Sequence, residues 1–271
     1  MDTSLIMRAS FKNRSSTPRE HYHNAYQILY IKKASGRLNI NKIYYPAVDG
    51  TLIFMSPLRN HFFEFNPGVC ERYEVLINYN IAEKLINNQI LMSVFQARPD
   101  LESCMVNVGE KSEEIERFFL DILQECNEEG AFSNEMQTAN IYRLLTFVYR
   151  NFSNKVSFTQ SQPEKNINHI RKYIEEKFSE PITVEEIAEL FHLNRYYLTH
   201  SFKRVTGYSP KQYILLCRIA KARQMLSGTS VSIMEIAGMC GFGDASNFSR
   251  QFRAETGYTP KDFRAKHKNV I

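Results

Sequence analysis

Cys240-Gly-Phe-Gly-Asp-Ala-Ser-Asn-Phe-Ser-Arg-Gln-Phe-Arg-Ala-Glu-Thr-Gly-Tyr-Thr-Pro-Lys-Asp-Phe-Arg264 decides the fold of the last third of the chain, because its parts occur twice. Thr206-Gly-Tyr-Ser-Pro-Lys-Gln-Tyr213 corresponds to Thr256-Gly-Tyr-Thr-Pro-Lys-Asp-Phe263 at an offset of 50. Thr183-Val-Glu-Glu-Ile-Ala corresponds to Ser232-Ile-Met-Glu-Ile-Ala at an offset of 49. A solenoid needs at least three repeats to bury its faces, so two copies indicate a duplicated motif inside one compact helical domain.

Each copy opens with a capping box, Thr183 with Glu186 and Ser232 with Glu235, so a short helix starts at both places. Ile187, Leu190 and Phe191, and in the second copy Ile236, Met239 and Cys240, form its apolar side. The small Ala188 and Ala237 let another helix cross closely. A turn follows at His192-Leu193-Asn194 and at Gly241-Phe242-Gly243, and Asn194 and Asp244 are good N-caps for a second helix. That helix buries Leu198 and Phe202, or Phe248 and Phe252. Its other side carries Arg195, Thr199, His200 and Lys203 in the first copy, and Ser246, Asn247, Ser249, Arg250 and Arg253 in the second. Such side chains suit base edges and phosphates in a major groove, although an ordinary solvated helix would also be polar. The reading is therefore of two helix-turn-helix units, 183–206 and 232–256. Ser209-Pro210 starts a joining helix over 210–226, about 25 Å long, which serves as a rigid spacer.

Upstream, residues 153–165 are polar, aperiodic and read as a linker. Ile115, Phe118, Phe119, Ile122, Leu123 and Cys126, then Ile141, Leu144, Leu145, Val148 and Phe152, recur at a helical period, with Gly130 between the two helices. Residues 26–32, 36–43, 51–55 and 73–78 are β-rich runs separated by Gly36, Pro46, Asp49-Gly50, Pro57 and Pro67-Gly68, the pattern of a small barrel or sandwich.

Charge is split along the chain. Residues 1–162 hold 17 Lys and Arg against 18 Asp and Glu, whereas residues 163–271 hold 17 against 11, so all the excess of +5 lies in the last third. That asymmetry suits a phosphate-binding module on a neutral partner. Five scattered cysteines, none spaced C-x-x-C, argue against a disulfide framework or zinc cluster. No apolar run is long enough to span a membrane and the first ten residues lack a secretory pattern, so a cytoplasmic location is expected.

The segment 240–264 resembles the signature of the AraC/XylS family of bacterial transcription regulators, and the first copy resembles that family's other helix-turn-helix; the likeness covers about 100 residues. It implies sequence-specific binding to double-stranded promoter DNA, activation more often than repression, RNA polymerase as a partner, and a homodimer. The positions equivalent to the family's base-reading residues are Tyr196, Thr199 and His200, then Ala245, Ser246, Asn247 and Arg250. Ala245 offers a thymine methyl contact at most, and Tyr196 has an equal reading as a packing residue.

His21, His23, Gln27, Gly36, Asp49-Gly50, Pro57 and His61 resemble the cupin barrels that often precede such a domain. Metal-binding cupins gather two histidines, a glutamate and a third histidine. Here Gln27, a weak neutral ligand, stands where the glutamate is expected, so no metal and no cofactor is expected and the histidines are read as lining a polar pocket or capping strand ends, with a three-histidine metal site left as the alternative. Tyr22, Tyr30, Arg37, Tyr44 and His61 are candidates for binding a small-molecule effector. The helices of 111–152 resemble the family's dimerisation region; core packing would explain the same stripes.

The expected fold class is thus α+β and multidomain: a cupin-like β-barrel (1–110), a helical dimerisation region (111–152), a linker (153–165) and an all-α domain with two helix-turn-helix motifs (166–268). Two other readings remain: a regulator that answers to a partner protein and no ligand, and a cupin metalloenzyme fused to a DNA-binding domain. No catalytic signature stands out, so no enzymatic activity is expected.

Overall fold

The structure, a computed structural model, describes residues 4–13, 21–128 and 130–267, without the side chains of 67–69. The chain divides into two compact units between Glu164 and Lys165.

The first unit is built on an antiparallel sheet of β1 (Ile6–Lys12), β2 (Tyr26–Ile40), β3 (Ile43–Ala47), β4 (Thr51–Met55), β5 (His61–Ile77) and β6 (Met105–Asn107). The order is β1-β5-β2-β4-β6, with β3 also on β2. β2 and β5 are longer than the sequence pattern suggests. The β2–β5 pairing continues from Ala34–Cys70 to Gly36–Phe65, so Pro67 and Gly68, which read as a break, fall in a bulge. Proline is tolerated there because a bulge leaves amides out of the ladder. Gly36 is at φ +145°, and a Cβ on it would lie 2.1 Å from the Glu64 carbonyl oxygen, so glycine alone lets the two strands close up. The Gln27–Met55 register of β2 on β4 continues outward to an isolated bridge between His21 and His61. Since His61 also pairs with Ile40, this bridge curls the sheet back on itself.

Helices α1 (Tyr79–Leu85) and α2 (Gln89–Met92) follow the sheet, and α3 (Ser112–Glu128) and α4 (Ser133–Phe152) form a helix hairpin. Ile115, Phe119, Ile122, Ile141, Leu144, Leu145, Val148 and Phe152 are buried in one cluster with Tyr26, Tyr30, Phe54 and Phe95 of the sheet and its flank. The apolar stripes of both helices are therefore spent on the core. The expected linker is partly ordered as well. Val156 and Phe158 are buried in the same cluster, and the buried Arg98 guanidinium donates to the carbonyls of Ser157 (2.9 Å) and Thr159 (2.6 Å). The polar composition of 153–165 hid two apolar anchors.

The second unit consists of α5 (Gln162–Lys177), α6 (Val184–Leu190), α7 (Arg195–Thr206), α8 (Pro210–Gly228), α9 (Ile233–Met239), α10 (Ala245–Thr256) and α11 (Pro260–His267). Helix α8 is more than a spacer. Its buried residues, among them Tyr213, Ile214, Leu216, Cys217, Ile219, Ala222 and Leu226, lie all round the axis. The Tyr213 ring meets Phe202 of α7 edge-on at 5.4 Å, and Ile219, Ala222 and Leu226 join Ile236, Phe252 and Phe263 in the second core. A helix apolar on every side must be covered on every side, and α8 is shared by both copies. At its N-terminal half, Arg171 and Glu175 of α5 form a buried pair at 2.6 Å, and the Tyr213 hydroxyl donates to Glu175 at 2.5 Å. Burial beside that carboxylate pushes the Tyr213 hydroxyl well above its ordinary pKa. All five cysteines are free thiols.

Candidate nucleic-acid interface

Both copies close their turns with the same bonds. Leu193 donates its amide to the Ala188 carbonyl (2.8 Å), as Phe242 does to that of Ala237 (2.9 Å). Both capping boxes form, Thr183 with Glu186 and Ser232 with Glu235. The side chains of Asn194 and Asp244 accept from the amides of Tyr196 (2.8 Å) and Asn247 (2.7 Å) and start α7 and α10. The turn needs one residue with positive φ: His192 at 53° in the first copy and Gly241 at 81° in the second. Gly241 is further constrained, because a Cβ there would lie 2.6 Å from the Ser179 carbonyl oxygen. Gly207 and Gly257 end α7 and α10 in the left-handed region.

With matching caps, α7 and α10 present equivalent positions to solvent at an offset of 50. Tyr196 matches Ser246, Thr199 matches Ser249, His200 matches Arg250, and Lys203 matches Arg253; each set shares one helix face. Tyr196 is 80% exposed, and its ring stacks with that of His200 at 6.3 Å between centroids. The packing reading of Tyr196 thus gives way to an exposed, flat aromatic pair. In the second copy Ser249, Arg250 and Arg253, with Ala254 and Thr259, line a shallow surface hollow. The two faces differ in chemistry, aromatic and imidazole in one and hydroxyl and guanidinium in the other.

Asn247 lies at the flank of its helix. Its side-chain oxygen accepts from Gln251 (2.6 Å) and Arg250 (3.2 Å), which places it to orient Arg250. Arg195 is exposed and paired with Glu185 of α6 at 2.9 Å, while its counterpart Ala245 is half-buried. The repeat did not reveal Arg204, which is exposed beside Lys203 on α7. Its counterpart is Ala254, so the comparison of copies had no matched pair to display.

The five candidate effector residues fall into separate environments. Tyr30 is buried between Tyr73 and Phe119, with ring centroids at 6.1 and 5.6 Å. Burial raises its hydroxyl pKa, and the hydroxyl faces the Ser112 carbonyl. Arg37 and Tyr44 meet on the exposed β2–β3 hairpin, the guanidinium 4.4 Å above the ring, and Arg37 also pairs with Glu64. Tyr22 is half-buried between His21 and His23 in sequence. A buried tyrosine and an exposed arginine do not share one lining, so the five do not form a single cavity.

His61 is drawn to His21 and His23. The three offer ligand atoms that all lie within 4.8 Å of one another, a convergence that spacing alone left open. The His61 Nδ1 lies 2.9 Å from the Arg59 carbonyl oxygen, which can only accept, so Nδ1 carries the proton and Nε2 holds the lone pair. Burial first, and His21 second, push the His61 pKa down to about 3, so the ring is neutral. Gln27 is buried on β2 with no hydrogen-bond partner for its side-chain oxygen.

Comparison with known proteins assigns both units. The profile of the AraC-like ligand binding domain matches residues 7–145, half of the chain, and that of a helix-turn-helix domain matches residues 187–266. The chain belongs to the AraC family. Its AraC-like ligand binding domain precedes its DNA-binding helix-turn-helix unit, and it is a transcriptional regulator. Among AraC relatives, the HTH-type transcriptional activator RhaS of Enterobacter sp. strain 638 is 26% identical over 247 residues, covering 90% of this chain and 87% of that protein. RhaS of Salmonella schwarzengrund is 25% identical over 272 residues, covering 93% and 89%. ToxT of Vibrio cholerae, solved at 1.65 Å, shows a similar fold at 15% identity, with a TM-score of 0.62 and coverage of 98% of this chain and 100% of that one. Among the described residues no helix is long and apolar enough to cross a membrane.

Proposed function

We propose that this AraC-family chain is a cytoplasmic, homodimeric activator without enzymatic activity. It sets α7 and α10 into adjacent major-groove segments of promoter DNA, engages RNA polymerase, and answers to a small molecule bound by its N-terminal domain. The observation that carries the reading is the matched pair of exposed faces on two helices that each start from a side-chain N-cap. Successive major-groove segments on one side of B-DNA are about 34 Å apart, and a helix of 19 residues such as α8 is about 28 Å long. Arg250, held by Asn247, is the strongest base reader, since a guanidinium donates twice to a guanine edge. Lys203, Arg204 and Arg253 serve the phosphates, and the Tyr196–His200 pair reads base edges or sugars. Arg195 contributes after leaving Glu185, an exposed pair worth at most about 1 kcal/mol. Because the stripes of α3 and α4 are buried in the core, a dimer contact uses the opposite sides, where Leu120 and Met136 are exposed.

An effector shifts activity only if it binds the DNA-competent and incompetent arrangements unequally. The test is genome-wide footprinting followed by titration of recovered sites with the purified full-length protein. Two protected segments about one helical turn apart, with affinity that falls linearly in log salt, are expected. Equal affinity for scrambled DNA would overturn the proposal.

A further inference from the structure

We infer that His21, His23 and His61 form a binding site for one divalent transition-metal ion of the kind that prefers imidazole, with Zn²⁺ as the reference ion. The site sits at the seam where the N-terminal sheet curls back on itself. The backbones of His21 and His61 are already joined by two hydrogen bonds, 3.1 and 2.9 Å, and the His23 carbonyl accepts from the Leu58 amide at 2.7 Å. These bonds hold the three Cα positions before any ligand arrives. The rings meet with centroids 4.4 Å (His21–His61), 5.0 Å (His21–His23) and 5.4 Å (His23–His61) apart.

Nitrogens bound tetrahedrally to zinc at about 2.05 Å lie about 3.4 Å from one another. The ligand atoms here all lie within 4.8 Å, so closure requires a contraction of about 1.4 Å at most. Turning the exposed His21 and the half-buried His23 supplies it without moving the backbone. His61 is preset. Its Nδ1–H donates to the Arg59 carbonyl, the usual way a protein orients a metal-binding imidazole, which leaves Nε2, buried with no hydrogen-bond partner, as the nitrogen free to bind an ion. A buried unpaired acceptor is costly, and an ion would satisfy it. Three neutral nitrogens leave a coordination position open, so the ion keeps a water or takes an oxygen ligand. Cys thiolates do not compete, because four of the five cysteines are buried and burial raises the thiol pKa of Cys104, Cys126, Cys217 and Cys240.

The experiment uses untagged full-length protein freed of metal by dialysis against a chelator, then titrated calorimetrically with ZnCl₂ and, separately, optically with CoCl₂. A saturable 1:1 isotherm, a rise in Tm with zinc, and visible absorption of nitrogen-bound cobalt are expected. His21→Asn and His23→Asn should each weaken zinc at least about 10-fold, while leaving the metal-free Tm and far-UV circular dichroism unchanged because neither ring is part of the core. No 1:1 isotherm, or one unchanged in both variants, overturns the inference. The DNA-binding proposal stands or falls separately, since its readout is affinity for operator DNA.

Discussion

Replacing Gly241 with alanine tests how the second turn is built, and two sister substitutions separate its causes. Gly241 combines φ of +81° with a site where a Cβ would lie 2.6 Å from the Ser179 carbonyl oxygen and 2.9 Å from its Cα and carbonyl carbon. All three atoms are backbone. The neighbouring segment cannot yield easily, because Arg218 donates to the carbonyls of Phe178 (2.7 Å) and Glu180 (3.0 Å). The left-handed conformation costs a non-glycine residue about 1–2 kcal/mol, and forcing one extra methyl into a packed site about 1–3 more. Gly241→Ala should therefore lose about 2–5 kcal/mol. Gly257 has φ of +77° and nothing within 4 Å, so Gly257→Ala should lose only the conformational part, about 1–2 kcal/mol. Gly243 is outside the left-handed region and has open space around it, so Gly243→Ala should be neutral or stabilising by up to about 1 kcal/mol. Urea unfolding of the full-length variants, followed by helical circular dichroism, reads the series as shifts of midpoint at constant slope. If Gly241→Ala lost no more than Gly257→Ala, the contact with Ser179 would be refuted; if Gly243→Ala cost as much as either, the account of the turn would fail.

Arg250→Ala should weaken a footprinted site by about 1–3 kcal/mol, roughly 5- to 150-fold, and relax preference at one base pair, as measured by anisotropy on single-base variants of the site. Lys203→Ala should instead weaken all sequences alike and reduce the salt slope by about 0.9. Glu175→Leu should cost about 3–5 kcal/mol by leaving Arg171 buried without its carboxylate, whereas the double change with Arg171→Met should recover most of the loss; equal loss in single and double variants in a denaturant cycle would refute the pairing. In the first unit, burial alone would raise the Glu74 carboxyl, but Lys12 and Arg72 outweigh it and hold its pKa below the usual value. The stability it contributes is thus complete above about pH 4.5 and is lost as pH falls through the lowered folded value. Glu74→Gln should cost about 3 kcal/mol near neutral pH and flatten that acid limb in a pH series of unfolding midpoints.

Much of the second unit was legible in the sequence because its signals are local. A capping box needs only residues three apart, a turn glycine only its own φ, and duplication makes each signal count twice. Thr183, Asn194, Ser232 and Asp244 cap as read, and the exposed positions of α7 and α10 follow from the helical period alone. The repeat concealed what the copies do not share: Arg204 stands opposite Ala254, and His192 takes the positive φ that Gly241 takes in the other copy. Tertiary structure decided everything that depends on distant partners. The stripes of α3 and α4 showed two amphipathic helices but not which surface they cover, and Val156 and Phe158 belong to a core that their polar neighbours hide. Pro67 and Gly68 looked like a break because the bulge that accommodates them is defined by β2. Above all, the cupin resemblance grouped His21 and His23 with His61, 38 residues beyond His23, but only the register that brings the sheet back on itself puts their rings together. Sequence specified the residues able to bind, and pairing across the sheet chose which of them meet.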